Sequence, residues 1–158
     1  LSPTGSGKTV AFLIPLLNSL KENVREVQAL IIVPSRELAI QIEQVFKGMK
    51  TPFRVSTVYG GHSSKLESNS LGEAPDVIIG TPGRLADHIE RESFNPKTIQ
   101  TVVWDEFDKS IKMGLYEELN VICGALNVQQ RYLLNSATVL NSMPCFLPFV
   151  DHRSGNVL

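Results

Sequence analysis

Two stretches of this chain have the makings of a phosphate-handling centre: Thr4-Gly5-Ser6-Gly7-Lys8-Thr9 near its start and Asp105-Glu106-Phe107-Asp108 far downstream. Gly5 and Gly7 let successive backbone N–H groups turn towards one anion with no side chain in its way. Lys8 then offers a cation to β/γ-phosphates, and Thr9 a hydroxyl where Mg²⁺ would sit. The apolar run over 10–20 predicts a helix whose positive end faces the same anion. The stretch departs from the strict G-x-x-x-x-G-K-[ST] pattern, because Ser2 stands where its first glycine belongs. The acidic stretch follows an apolar run. A phosphate-cleaving centre needs one carboxylate there to hold a metal and its waters, the part given to Asp105, and another to direct the attacking water, the part given to Glu106. The competing reading of such a stretch is a solvated turn. Trp104 and Phe107 are expected in packing.

Four further groups carry polar chemistry. Pro34-Ser35-Arg36-Glu37-Leu38-Ala39, Gly60-Gly61 and Thr81-Pro82-Gly83-Arg84 each place N–H groups, a hydroxyl or an arginine at the start of a helix or turn, which are features that bind phosphates. Singly, each is also an ordinary cap or turn. Ser136-Ala137-Thr138 says little alone; beside Asp108, its hydroxyls could bond that carboxylate and sense the state of a nucleotide.

These residues need a frame. Short β-branched runs alternate with longer helical patterns, which marks an α/β fold with a mostly parallel sheet covered by helices. Strands are expected at 28–33, 54–59, 76–79, 101–104 and 131–135. Helices are expected at 10–20, 36–49 with Ser35 as cap, 63–71, from Thr81-Pro82 towards Arg91, 114–126 and 143–150. Ligands of such sheets bind beyond the carboxyl ends of the strands. Every group singled out above falls at a strand end, so all should share one rim. Three phosphate-binding features beside the nucleotide centre point to a second polyanion. With no basic stripe interleaved with aromatics, its sugar-phosphate backbone is the expected contact.

Composition sets outer bounds. A chain of 158 residues, 42% apolar, suits one domain burying about 68–70% of its unfolded surface. With 15 basic and 16 acidic residues the net charge is -1, so any nucleic-acid binding is local rather than polybasic. Cys123 and Cys145 suggest two buried reduced thiols and no zinc site. No apolar run is long enough for a bilayer, and neither export leader nor membrane anchor is expected.

In this order and spacing, Thr4 to Thr9, Pro34 to Ala39, Gly60-Gly61, Thr81 to Arg84, Asp105 to Asp108 and Ser136 to Thr138 resemble the first RecA-like domain of DEAD-box ATP-dependent RNA helicases. The resemblance spans nearly the whole chain. It implies a RecA-like P-loop NTPase domain over 1–158, lacking the strand before the phosphate loop, the upstream adenine-recognition segment and the second RecA-like domain. It implies ATP and Mg²⁺ as cofactors, single-stranded RNA as partner, and ATP hydrolysis coupled to duplex unwinding in an intracellular protein; cytoplasmic rather than nuclear or organellar is the expected location, and monomer is the default state. The piece alone would be a weak or inactive enzyme. Carried over by position, Thr4, Gly5, Ser6, Gly7, Lys8 and Thr9 bind ATP, Thr9 and Asp105 the metal, and Lys8, Asp105 and Glu106 serve catalysis. Asp108, Ser136 and Thr138 couple hydrolysis to unwinding. Pro34, Ser35, Arg36, Gly61, Thr81, Gly83 and Arg84 line the RNA path. Phe107 replaces the alanine that names the family, Ser35 stands for the usual threonine and Ser2 for an alanine. The rival readings are a DNA helicase or translocase and a non-catalytic scaffold for RNA or protein.

Overall fold

A computed structural model describes residues 6–61, 64–127 and 131–135. The described order is α1 (Ser6–Ser19), β1 (Ala29–Ile32), α2 (Arg36–Gly48), β2 (Val55–Val58), α3 (Ser64–Gly72), β3 (Val77–Gly80), α4 (Pro82–Glu90), a 3-10 turn (Pro96–Thr98), β4 (Thr101–Trp104), α5 (Phe107–Lys112), α6 (Tyr116–Ala125) and β5 (Arg131–Leu134). All five expected strands are present. The helix expected at 143–150 and the Ser136-Ala137-Thr138 group lie outside the described residues.

The five strands form one sheet in the order β2-β3-β1-β4-β5, with every neighbouring pair parallel. β1, β3 and β4 are buried along their whole length, which is why their sequences are apolar without alternation. The pleat still sends neighbours to opposite faces. Leu30, Ile32, Ile78, Val102 and Trp104 pack with Leu71 of α3, Leu85 of α4 and Leu119 and Ile122 of α6. Ala29, Ile31, Val77, Ile79 and Val103 pack with Phe12, Leu13 and Leu16 of α1 and Ala39, Ile42 and Phe46 of α2. Helices therefore cover both faces, as the sequence predicts.

Register sets the rim. Ile32 pairs with both Gly80 and Trp104, Val58 with Gly80, and Trp104 with Leu134. All five strands thus end level, and the segments after them open on the same edge. Winding runs from central β1 out to β2 and back through β3, then crosses to β4 on the other side of β1, so the crevice for a ligand lies where β1 and β4 end side by side.

One glycine is demanded by packing. A Cβ on Gly80 would lie 2.7 Å from Val58 Cγ2 and 2.8 and 2.9 Å from Leu85 Cγ and Cδ2, so the start of α4 can sit against β2 only without a side chain there. Gly80→Ala should cost about 1–3 kcal/mol by overpacking, visible as a lowered Tm. Gly124→Ala, whose Cβ would meet nothing within 4 Å, should show no loss; equal melting of the two variants would refute this account.

One local expectation is corrected, the full burial of Cys123. The residues after Asp105 form the short helix α5, and it buries Phe107, Asp108 and Ser110, which sets aside the competing reading of a solvated turn. Thr81 stands at the N-cap of α4 with Pro82 at the first helical position, as expected, although the Thr81 side chain makes no capping bond. Cys123 is half-buried and packs against the core, where desolvation pushes its thiol up to about 12; Cys145 lies outside the described residues. Among the described residues no helix is long and apolar enough to cross a membrane.

Candidate functional site

The rim is built from strand ends inward. Asp105 follows β4 and is 5% exposed. Its N–H donates to Ile32 O at 3.0 Å, which fixes it in the β1/β4 crevice. Asn135 Nδ2 donates to Asp105 Oδ1 at 2.6 Å, and the Glu106 N–H donates to the same oxygen at 3.0 Å. Burial pushes the Asp105 carboxyl up, Asn135 opposes that, and the neighbouring charge of Glu106 adds to the rise. The Lys8 ammonium works in the opposite sense, as the smallest of these influences, so the charge of the first cluster is felt at the aspartate of the second. The net position lies above the ordinary aspartate value.

Lys8 and Thr9 stand in the first turn of α1, the lysine exposed and Thr9 buried. Thr4 and Gly5 lie outside the described residues, and Ser6 and Gly7 open the helix. The helix begins earlier than the apolar run implied, at Ser6-Gly7, so its positive end lies within the glycine-lysine stretch.

Glu106 has φ 52° and ψ 44°, a left-handed backbone for a non-glycine residue, which costs about 1–3 kcal/mol and is characteristic of functional turns. Its side chain is partly exposed and accepts from Lys109 Nζ at 2.8 Å. That bond holds the Lys109 ammonium above the ordinary lysine value. An exposed pair of this kind is worth about 0–1 kcal/mol, so Glu106 is readily released to a water. Asp108 is buried and lies 3.5 Å from Lys112 Nζ. Phe107 packs edge-on against Trp104, with ring centroids 4.9 Å apart at 74°; both are core, as expected.

The second set of residues lies along the same rim, beyond β1, β2 and β3. Ser35 Oγ accepts from the Leu38 N–H at 3.3 Å and caps α2. Gly61 has φ 93°, and a Cβ there would lie 3.5 Å from Arg36 Nη1, so the guanidinium of one motif rests over the glycine of another. Gly83 is exposed, and a Cβ on it would meet nothing within 4 Å. Arg84 behaves differently from a free phosphate ligand. Its Nε donates to Glu67 Oε2 at 2.5 Å and its Nη1 to Asp87 Oδ2 at 2.8 Å.

Sequence reasoning passed over Asn135, Glu67 and His88. Asn135 was read as the last residue of a strand, although the pairing of Trp104 with Leu134 sets it beside Asp105. Its backbone also bridges the turn, donating to Trp104 O at 2.8 Å and accepting from the Phe107 N–H at 3.1 Å. Glu67 and His88 sit in polar-looking helices, and no short motif marks them.

Comparison with known proteins agrees with this geometry. The DEAD/DEAH box helicase family model matches residues 1–143. The DEAD-box ATP-dependent RNA helicase CshA of Bacillus licheniformis is 41% identical over 138 residues, covering 86% of this chain and 28% of that protein. The ATP-dependent RNA helicase DeaD of Buchnera aphidicola subsp. Baizongia pistaciae is 37% identical over 142 residues, covering 88% and 24%. A crystal structure of a DEAD box protein from the hyperthermophile Methanococcus jannaschii superposes with a TM-score of 0.80 at 36% identity, over 88% of this chain and 38% of that one. The chain spans about a quarter of the length of these curated relatives. With a match across most of its residues, a parallel α/β sheet and the motifs aligned on one rim, the chain belongs to the DEAD/DEAH box helicase family.

Proposed function

We propose that residues 1–158 form the first RecA-like domain of an ATP-dependent RNA helicase, working with a second such domain inside the cell and as a monomer. The observation that carries this reading is the level ending of the strands, which sets Asp105 and Glu106 on one rim with Arg36, Gly61 and the Thr81–Arg84 segment, where the charge of Lys8 is felt at Asp105. Thr4 to Thr9 hold the phosphates. Asp105 suits Mg²⁺, because it is a buried hard-oxygen donor whose charge is disfavoured by desolvation and by Glu106, a cost that a divalent cation reverses. Among the described residues no group of three or more acidic, His or Cys side chains could hold a metal; Mg²⁺ typically takes most of its ligands from phosphates and water. The ion would neutralise developing phosphate charge. Glu106 positions the attacking water, and Asp108, Ser136 and Thr138 pass the nucleotide state on.

RNA is held through its backbone by Pro34, Ser35, Arg36, Gly61, Thr81, Gly83 and Arg84. The open space at Gly83 supports close approach of a phosphate to the N-terminus of α4. Arg84 contributes from within, through the groups it orders. ATP hydrolysis by the full-length protein carrying this chain, with and without single-stranded RNA and with single-stranded DNA as control, tests the reading. Stimulation by RNA alone is expected. Equal stimulation by DNA would favour a translocase, and no turnover with any nucleic acid would favour a scaffold.

A further inference from the structure

Glu67 is the least expected residue in the molecule. It lies in α3, a nine-residue helix of mostly polar sequence, yet it is 4% exposed. One carboxylate there binds three partners from two segments. Oε1 accepts from the Tyr59 N–H at 3.1 Å, directly before the Gly60-Gly61 turn. Oε2 accepts from Arg84 Nε at 2.5 Å and from His88 Nε2 at 3.0 Å, both in α4.

The network extends outwards from it, with only Arg84 Nη2 left buried and without a hydrogen-bond partner. On its other side the His88 ring is held by Ser93, whose Oγ lies 3.0 Å from Nδ1. Asp87 takes Arg84 Nη1 at 2.8 Å and Arg91 Nε at 2.7 Å. Burial pushes the Glu67 carboxyl up, but the bonds from His88, Arg84 and Tyr59 outweigh it and hold the group below the ordinary glutamate value. Glu67 is therefore ionised at neutral pH.

An apolar side chain would dock α3 on β2 without the cost of burying a charge. What an apolar side chain cannot do is fasten a backbone N–H of one rim segment to two side chains of another. We propose that Glu67 is a positioning residue of the RNA path, locking the Gly60-Gly61 turn to the Thr81–Arg84 helix start so that both meet a sugar-phosphate backbone at a fixed spacing. Arg84 acts in this unit as the tie, with its guanidinium turned inward onto Glu67 and Asp87. The inference rests on the RNA-binding reading above.

The test is a double-mutant cycle in the full-length protein, reading the RNA concentration that half-saturates ATP turnover alongside ATP affinity and Tm. Glu67→Ala should raise the RNA requirement by about tenfold, within the range of coupling between groups in one buried network, and leave ATP affinity unchanged. Glu67→Gln, which keeps one acceptor oxygen, should recover part of the loss even if Glu67→Ala folds poorly. In an Arg84→Ala background, Glu67→Ala should add much less than it does alone. Additive losses in that cycle, or an RNA requirement in Glu67→Gln and Glu67→Ala equal to wild type, would overturn the proposal. A wild-type protein indifferent to RNA would remove the RNA-binding reading itself, and this inference with it.

Discussion

Glu106→Gln should lower ATP hydrolysis by about 10²–10⁴-fold, the usual worth of a positioned acid–base group, while ATP binding stays as in wild type. The substitution keeps the size of the side chain and its ability to accept from Lys109, and it removes the charge that directs a water. Neighbouring parts should be undisturbed. Asp105 keeps its bonds from Asn135 Nδ2 and from the backbone N–H of residue 106, and still feels the charge of Lys8. The left-handed backbone at position 106 is as open to glutamine as to glutamate, so stability should be nearly equal. The measurements are steady-state ATP turnover of the full-length protein with saturating RNA, and ATP affinity by titration. Turnover within a few-fold of wild type would take the water-directing role away from Glu106; a parallel loss of ATP affinity would mean that the variant has damaged the cradle.

The second large effect concerns stability and runs against family habit. Phe107→Ala would install the residue usual in the family, a type of change that commonly stabilises. Here it should destabilise the domain by about 3–5 kcal/mol, and at about 2–4 °C per kcal/mol for a chain of this size the Tm should fall by on the order of 10 °C. Phe107 is 1% exposed and stacks edge-on against Trp104 in the core under α4 and α6. Ser110, one turn along α5 and wholly buried, is too small to close the space an alanine would leave, and its hydroxyl already lacks a partner. A thermal melt decides the matter: a fall of only a degree or two would mean that the cavity collapses.

What could be read from the sequence follows physical lines. The buried strands were legible because apolar β-branched runs such as Ala29–Ile32 and Val77–Gly80 end in abrupt punctuation at Pro34 and at Thr81-Pro82. The rim placement of the motifs followed from strand direction alone. The helix α5 was not legible, because six residues are too few to show a helical period and Asp105 to Asp108 look like solvated acid. Nor were Asn135 and Glu67. Each owes its role to register or to a neighbour distant in sequence, Asn135 to the pairing of β4 with β5 and Glu67 to Arg84 and His88 across two turns of chain. Thr81 was legible as the N-cap of α4 and stands there, although its side chain makes no capping bond, a detail that residue type alone does not fix.

The strand order also governs when the centre can exist during synthesis. β1 leaves the ribosome early, but its two partners are β3 and β4, and the strand that closes the crevice, β4, is made after β2, β3 and four of the helices. Pairings between strands so far apart in sequence form slowly, because loop closure must precede the contacts that reward it. Until β4 docks, central β1 keeps an open edge of unpaired N–H and C=O groups, and Asp105 has no crevice to enter. A nascent chain halted before residue 101 would thus carry the glycine-lysine stretch without the carboxylate proposed to hold its metal, and with an adhesive strand edge exposed to other chains.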